Sequence, residues 1–190
     1  MANPTGYDTE LYTLGRGVLW MAPWVGSTPP AIGDYEDVGN APDISIEPTE
    51  EILDHFSSRS GRKNKDKQVT LESGATFLFT IDSISVPNFK LFLAGKLSTT
   101  QPNKIHINMA SSLEYGLRFI SDNAEGQNYR LELWKAKVRA AGAYGFITDD
   151  WGSLAYTAEV LSDSTVGHEL TLFGDLTFIT TTTTTTTTAP

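Results

Sequence analysis

The chain has 190 residues, 39% of them hydrophobic, and a formal net charge of -9. That length supports one substantial core, the absence of cysteine excludes disulfides and thiolate metal sites, and no apolar run of about 18 residues offers a membrane-spanning helix. Sixteen Gly, nine Pro and frequent Thr, Phe and Tyr favour strands and turns over helices.

Residues 1–17 have little periodicity and read as an extended arm. The stretch Met1 to Asp8 lacks the basic and apolar regions of a signal peptide, so assembly in a cytoplasm is expected. Val18 to Ala22 is a short apolar run that predicts a first strand. Pro23 to Asn40 holds Gly26, Pro29, Pro30, Gly33 and Gly39, the composition of a loop.

The next stretch organises the chain. From Asp43 to Leu53, Ile44 and Ile46 alternate with Asp43, Ser45, Glu47, Thr49 and Glu51. From Gln68 to Asp82, Val69, Leu71, Ala75, Phe77, Phe79 and Ile81 share one parity, with Gln68, Thr70, Glu72, Thr76, Thr80 and Asp82 on the other. Period two over this length predicts a long hairpin with an apolar face and a wet, acidic one. The loop between, Ser57 to Lys67, carries Arg59, Arg62, Lys63, Lys65 and Lys67, accompanied only by Asp66. The rest of the chain then holds 9 basic and 22 acidic residues, a balance of -13. Such a body disfavours nonspecific adhesion to nucleic acid, which weakens a DNA-binding reading of the cluster. In isolation the cluster reads as a solvated loop, and docking on an acidic partner is the alternative.

Ser85 to Gly95 predicts a short helix, with Ser85 as cap, Pro87 in the first turn, Gly95 as terminator and Val86, Phe89, Phe92 and Leu93 as an apolar stripe. Lys104 to Met109 alternates as a strand. Leu113 to Ser121 and Tyr129 to Ala141 predict a second hairpin turned through 122–128. A change of parity near Trp134 and Lys135 calls for a β-bulge. Asp149 to Gly152 is a turn. Leu154, Tyr156, Ala158 and Val160 line one face of the following strand, with Thr157, Glu159 and Asp163 opposite. His168 to Ile179 predicts a final strand. Thr180 to Thr188 is a homopolymer with no apolar face, read as a tail. The organisation is an arm (1–17), a mainly β antiparallel domain (18–179) and a Thr-rich tail (180–190).

Catalytic and metal chemistry find no footing in this pattern. His55, His106 and His168 are scattered, with no spacing that puts two on one face. Glu50–Glu51 and Asp149–Asp150 are adjacent pairs, and neighbouring strand residues point to opposite faces. Asp122 to Gly126 resembles a calcium loop but lacks its alternating ligands and distal Glu. Phosphate-binding loops, dinucleotide fingerprints and serine-hydrolase elbows are missing, and no enzyme, metal or cofactor is expected. The aromatics Phe77 and Phe79 are required by the core, with no interleaved cation for base stacking.

The segments Asp37 to Asn40, Glu47 to Asp82 with His55-Phe-Ser-Ser-Arg-Ser-Gly61 at its crest, Asn88 to Gly95, and Ala158 to Asp163 carry a resemblance. Over residues 15–179 the chain resembles the tail tube protein of long-tailed, siphophage-type bacteriophages. The resemblance implies an antiparallel β-sandwich or partial barrel, six copies in a ring, rings stacked as a tube, and a long hairpin loop reaching the next ring. It further implies residence in the virion tail and passage of double-stranded DNA without specific binding. The implied partners are a tape measure protein and terminator and distal tail or baseplate proteins, with no membrane. Four strands from each of six copies, spaced ~4.8 Å and tilted ~40°, close a barrel of roughly 48 Å backbone diameter and a bore near 40 Å. On this reading Asp43, Glu47, Glu51, Glu72, Asp82, Glu159 and Asp163 face the lumen, where negative charge repels phosphate. Arg59, Arg62, Lys63, Lys65 and Lys67 are the inter-ring contact. The alternatives are a monomeric β-sandwich binding module for carbohydrate or a receptor, using Trp134 or Trp151 as a platform, and the tube protein of a contractile injection system.

Overall fold

The computed structural model describes residues 13–25, 29–59, 61–110, 113–163 and 173–179. Residues 1–12 of the expected arm, the start of the last expected strand with His168, and the Thr-rich tail lie outside the described residues. The elements are β1 (Gly17–Pro23), β2 (Glu36–Asp37), β3 (Asp43–Ser57), β4 (Asn64–Ile81), α1 (Val86–Phe92), β5 (Lys96–Leu97), β6 (Ile105–His106), β7 (Glu114–Ser121), β8 (Asn128–Ala140), β9 (Leu154–Leu161) and β10 (Gly174–Ile179). A 3-10 turn at Ile32–Asp34 lies within the long connection before β2.

Every pairing among the described residues is antiparallel, in keeping with the alternating patterns. One eight-stranded sheet runs β2-β1-β7-β8-β9-β4-β3, with β10 added to β8. The first half of β8 pairs with β10 and its second half with β9. The changeover is at Trp134 and Lys135, where the register against β7 passes from Leu117↔Leu133 to Tyr115↔Ala136, two residues of β8 facing one of β7. A bulge bends its strand, and this one turns the sheet so that both halves enclose a common core. Leu19, Met21, Leu117 and Leu133 from one half join Phe77, Phe79, Ile81, Val138, Tyr156 and Ala158 from the other. A cleft of about 340 Å³ between Ile44 and Ile46 on β3 and Phe119, Tyr129 and Leu131 on the β7–β8 hairpin marks where the two halves face each other. The sheet path ends at β2 and β3, so a single copy is not a closed barrel.

The helix α1 closes one end of the core. Ser85 caps it by accepting from the Asn88 N–H at 3.3 Å, and Pro87 occupies its first turn. The expected stripe is rotated: Asn88 and Leu91 are buried, Phe89 and Phe92 are partly covered, and Val86 is exposed. Asn88 sets that rotation, because its side-chain amide donates to Val38 O at 2.9 Å and Ser83 O at 2.8 Å, while Asn88 O accepts from Tyr156 Oη at 2.8 Å. The left-handed residue at the helix end is Ala94, at φ 45°, one position before the Gly95 expected to stop it. Gly95 has a separate cause, since a Cβ there would lie 2.3 Å from Ile105.

Gly39 and Asn40 form a clasp across the mouth of the hairpin. Gly39 takes φ 91°, and a Cβ there would lie 2.6 Å from Ser83 Oγ. The Asn40 N–H donates to that Oγ at 2.9 Å, and its side chain donates to Asp82 at 2.6 Å. The strand expected over 104–109 shrinks to Ile105–His106, paired with Lys96–Leu97 in a separate two-stranded ribbon. Asn108, at φ 55°, stops the alternation early.

Tyr156 lies in the core, and burial, reinforced by the neighbouring Tyr115, raises its pKa far above 10. Burial also raises Tyr35 and Tyr115. In the unfolded chain these phenols titrate near 10. The folded state therefore holds protons that the unfolded state releases, and stability is lost as pH rises above about 10 toward the folded values. The melting temperature is expected to fall from about pH 10 upward, and less steeply in Tyr156→Phe than in the parent chain.

Candidate assembly surfaces

The wet face of the sheet is built by register. Directly opposed residues of antiparallel strands share a face, so Glu47, Thr76, Glu159, Lys137 and Glu114 form one row across β3, β4, β9, β8 and β7. A second row holds Ser45, Leu78, Thr157 and Arg139, and Asp43 lies opposite Thr80 in a third. Glu51 and Glu72 oppose each other where the hairpin leaves the body, a like-charged pair. A shallow concavity of about 540 Å³ on this face brings Glu51, Glu72 and Glu159 together with Lys137 and Arg139.

Five of the seven acids expected on this face, Asp43, Glu47, Glu51, Glu72 and Glu159, thus stand together on it. Asp82 lies just past the end of β4, exposed and held by Asn40. Asp163 departs from the expectation. It follows the end of β9, where alternation no longer applies, and is only 8% exposed. The face also carries three cations that the reading of the hairpin alone passes over: Lys135, Lys137 and Arg139. Lys135 meets Glu114 at 3.1 Å and Arg139 meets Glu159 at 3.8 Å. Their signal was present in the sequence. Once the bulge puts Ala136 and Val138 inside, the residues that alternate with them, Lys135, Lys137 and Arg139, must point out.

The hairpin extends further than its pattern suggested. Strand β3 runs to Ser57 and β4 starts at Asn64, so Lys65 and Lys67 belong to a strand and not to the loop. Lys65 meets Asp54 at 2.7 Å and Asp66 meets His55 at 2.6 Å, exposed pairs that bridge the two strands. Arg59, Arg62 and Lys63 sit at or beside the turn, and among the described residues these three and Lys67 make no ion pair.

Val69 and Leu71, expected in the core, are exposed, as are Ile52, Leu53 and Phe56. The apolar alternation continues beyond Ala75, but the body of the domain stops there. Bulges at Glu51/Ile52 and His55/Phe56 twist the two strands into an arm. With about ten residues of β4 beyond the body, at ~3.3 Å each, the arm projects roughly 30 Å.

A sequence model of one protein family matches residues 12–107 and 98–177, which takes in both the hairpin and the second half of the sheet. The chain belongs to that family. Its description is protein of unknown function UCP028589. No curated protein matches the chain. Among the described residues no group of three or more His, Asp or Glu is placed to hold a metal ion, and no helix is long and apolar enough to cross a membrane.

Proposed function

We propose that this chain is a tube-forming structural protein of the type that builds the tail tube of long-tailed bacteriophages, with six copies in a ring and rings stacked along an axis. The observation that carries the reading is the arm. A two-stranded ribbon is at best marginally stable in water, and this one exposes Ile52, Leu53, Phe56, Val69 and Leu71 on its two faces over roughly 15 Å of its length next to the body. An apolar surface of that extent marks a site where another molecule packs.

The wet face supports the second half of the reading, a wall past which DNA slides. Asp43, Glu47, Glu51, Glu72, Glu114 and Glu159 outnumber Lys135, Lys137 and Arg139, so the wall is acidic but interrupted by a basic stripe along β8. The excess of carboxylates repels phosphate, and Lys135 and Arg139, each paired with a carboxylate, limit self-repulsion between copies. The partners on this reading are further copies of the chain, a tape measure protein running in the bore, and the proteins that end the tube. The location is the virion tail after assembly in the host.

One observation favours a second reading. Trp151 is 93% exposed, as a ligand platform of a monomeric binding module would be, whereas Trp134 is half-buried in the sheet. Imaging of the purified chain separates the two, because the tube reading requires rings or tubes and the module reading requires single particles.

A further inference from the structure

Strand register places the projecting arm and the three most exposed large apolar residues among those described at opposite ends of one sheet. The end of the arm, where β3 stops at Ser57 and β4 begins at Asn64, is at the start of β4. At its other end β4 finishes with Ile81 opposite Leu154, and β8 finishes with Ala140 opposite Tyr156. The connection between β8 and β9, residues 141–153, therefore emerges at the end away from the arm. It exposes Phe146 by 81%, Ile147 by 99% and Trp151 by 93%.

This connection is folded and braced from beneath. Tyr144 packs edge-on against Phe89 of α1 at 4.9 Å and against Phe146 at 5.1 Å. Gly152 lies so close to Tyr144 that a Cβ would come within 2.9 Å of its hydroxyl. The Asp150 carboxylate accepts the Trp151 N–H at 2.8 Å, and Thr148 Oγ1 accepts the Asp150 N–H at 3.1 Å. Bracing from one side while Ile147 and Trp151 stand in water is the arrangement of a contact surface. Its charged residues are Asp149 and Asp150, and those of the arm tip are Arg59, Arg62 and Lys63.

We propose that the arm tip of one copy docks on the β8–β9 connection of the next copy. Phe56, the apolar residue nearest the turn, would meet Ile147 and Trp151, and Arg62 and Lys63 would meet Asp149 and Asp150. The occupant is a second copy of this chain, because the two surfaces match in character, oppose in charge and lie at opposite ends of one molecule. Like charge makes arm-to-arm pairing unfavourable, so the contact is head-to-tail, and a head-to-tail contact along an axis extends without closing. Arginine adds geometry as well as charge by gripping a carboxylate with two parallel hydrogen bonds. The inference rests on the tube reading and names the two surfaces that join successive rings.

The chain has no cysteine, so introduced thiols report one contact at a time. Chains carrying Arg62→Cys and chains carrying Asp149→Cys are mixed, allowed to assemble and oxidised. The expected result is a disulfide-linked dimer that requires both variants, and a ladder of oligomers from the double variant. Independently, Arg62→Glu with Lys63→Glu should abolish assembly, and adding Asp149→Lys with Asp150→Lys should restore it at least tenfold. Tubes that form normally with no Arg62→Cys to Asp149→Cys link, and no restoration by the swapped charges, would overturn the docking proposal and leave the tube reading intact. A parent chain that stays monomeric at every concentration would remove the tube reading itself, and the docking with it.

Discussion

A chain carrying Arg62→Glu and Lys63→Glu is expected to fold as the parent does and to remain a monomer. Both residues lie beside the turn of a solvent-exposed arm and make no ion pair among the described residues, so their reversal removes nothing from the core. Surface substitutions of this kind change stability by no more than about 0.5 kcal/mol. Assembly is different, because every ring-to-ring junction repeats the contact and each copy would now present like charge to its neighbour. Circular dichroism should give an unchanged melting temperature while sedimentation shows only the 20.8 kDa species. Tubes of normal length from this variant would exclude the arm tip as the inter-ring contact.

The second large effect lies in the core. Phe79 is buried on β4, opposite Tyr156 and stacked on it at 4.9 Å, with Phe77 at 5.7 Å. Phe79→Ala removes the ring from a packed cluster and is expected to cost about 3–5 kcal/mol. That is a large share of the roughly 5–15 kcal/mol that holds a domain together, and should lower the melting temperature by at least about 6 °C. Phe56→Ala, on the same hairpin but out on the arm, should leave the melting temperature of the unassembled chain in place and weaken assembly instead. A similar loss of stability from both substitutions would mean that the arm folds back onto the body.

Those two phenylalanines show how far alternation reads and where it stops. The parity of Ala75, Phe77, Phe79 and Ile81 predicted a buried face, and Phe77, Phe79 and Ile81 are buried in the core. The same parity carried to Leu71 and Val69 predicts burial that a single copy does not supply. Periodicity specifies which residues share a face, but it carries no information about whether another layer covers that face.

Local signals fared according to their range. Ser85 as a cap, Pro87 in the first turn and the bulge at Trp134–Lys135 are effects of adjacent residues, and each stands where it was expected. The rotation of α1 depends on Asn88 reaching carbonyls at positions 38 and 83, a partnership invisible to a helical stripe. Asp163 fails for a simpler reason, since β9 ends at Leu161 and the two-residue period ends with it. The basic stripe of Lys135, Lys137 and Arg139 was recoverable by carrying the bulge through to the outward parity. It changes the wet face from uniformly acidic to acidic with a basic row, in which Lys135 and Arg139 are paired with carboxylates.

Negative-stain microscopy of the purified, full chain across a range of concentrations shows directly whether the protein forms a tube. Six-fold rings or stacked tubes are expected, with a central bore near 40 Å, the size set by about 24 strands at ~4.8 Å spacing and ~40° tilt. Particles that stay single at every concentration, or rings whose bore is narrower than the ~20 Å of a DNA duplex, would contradict the tube reading.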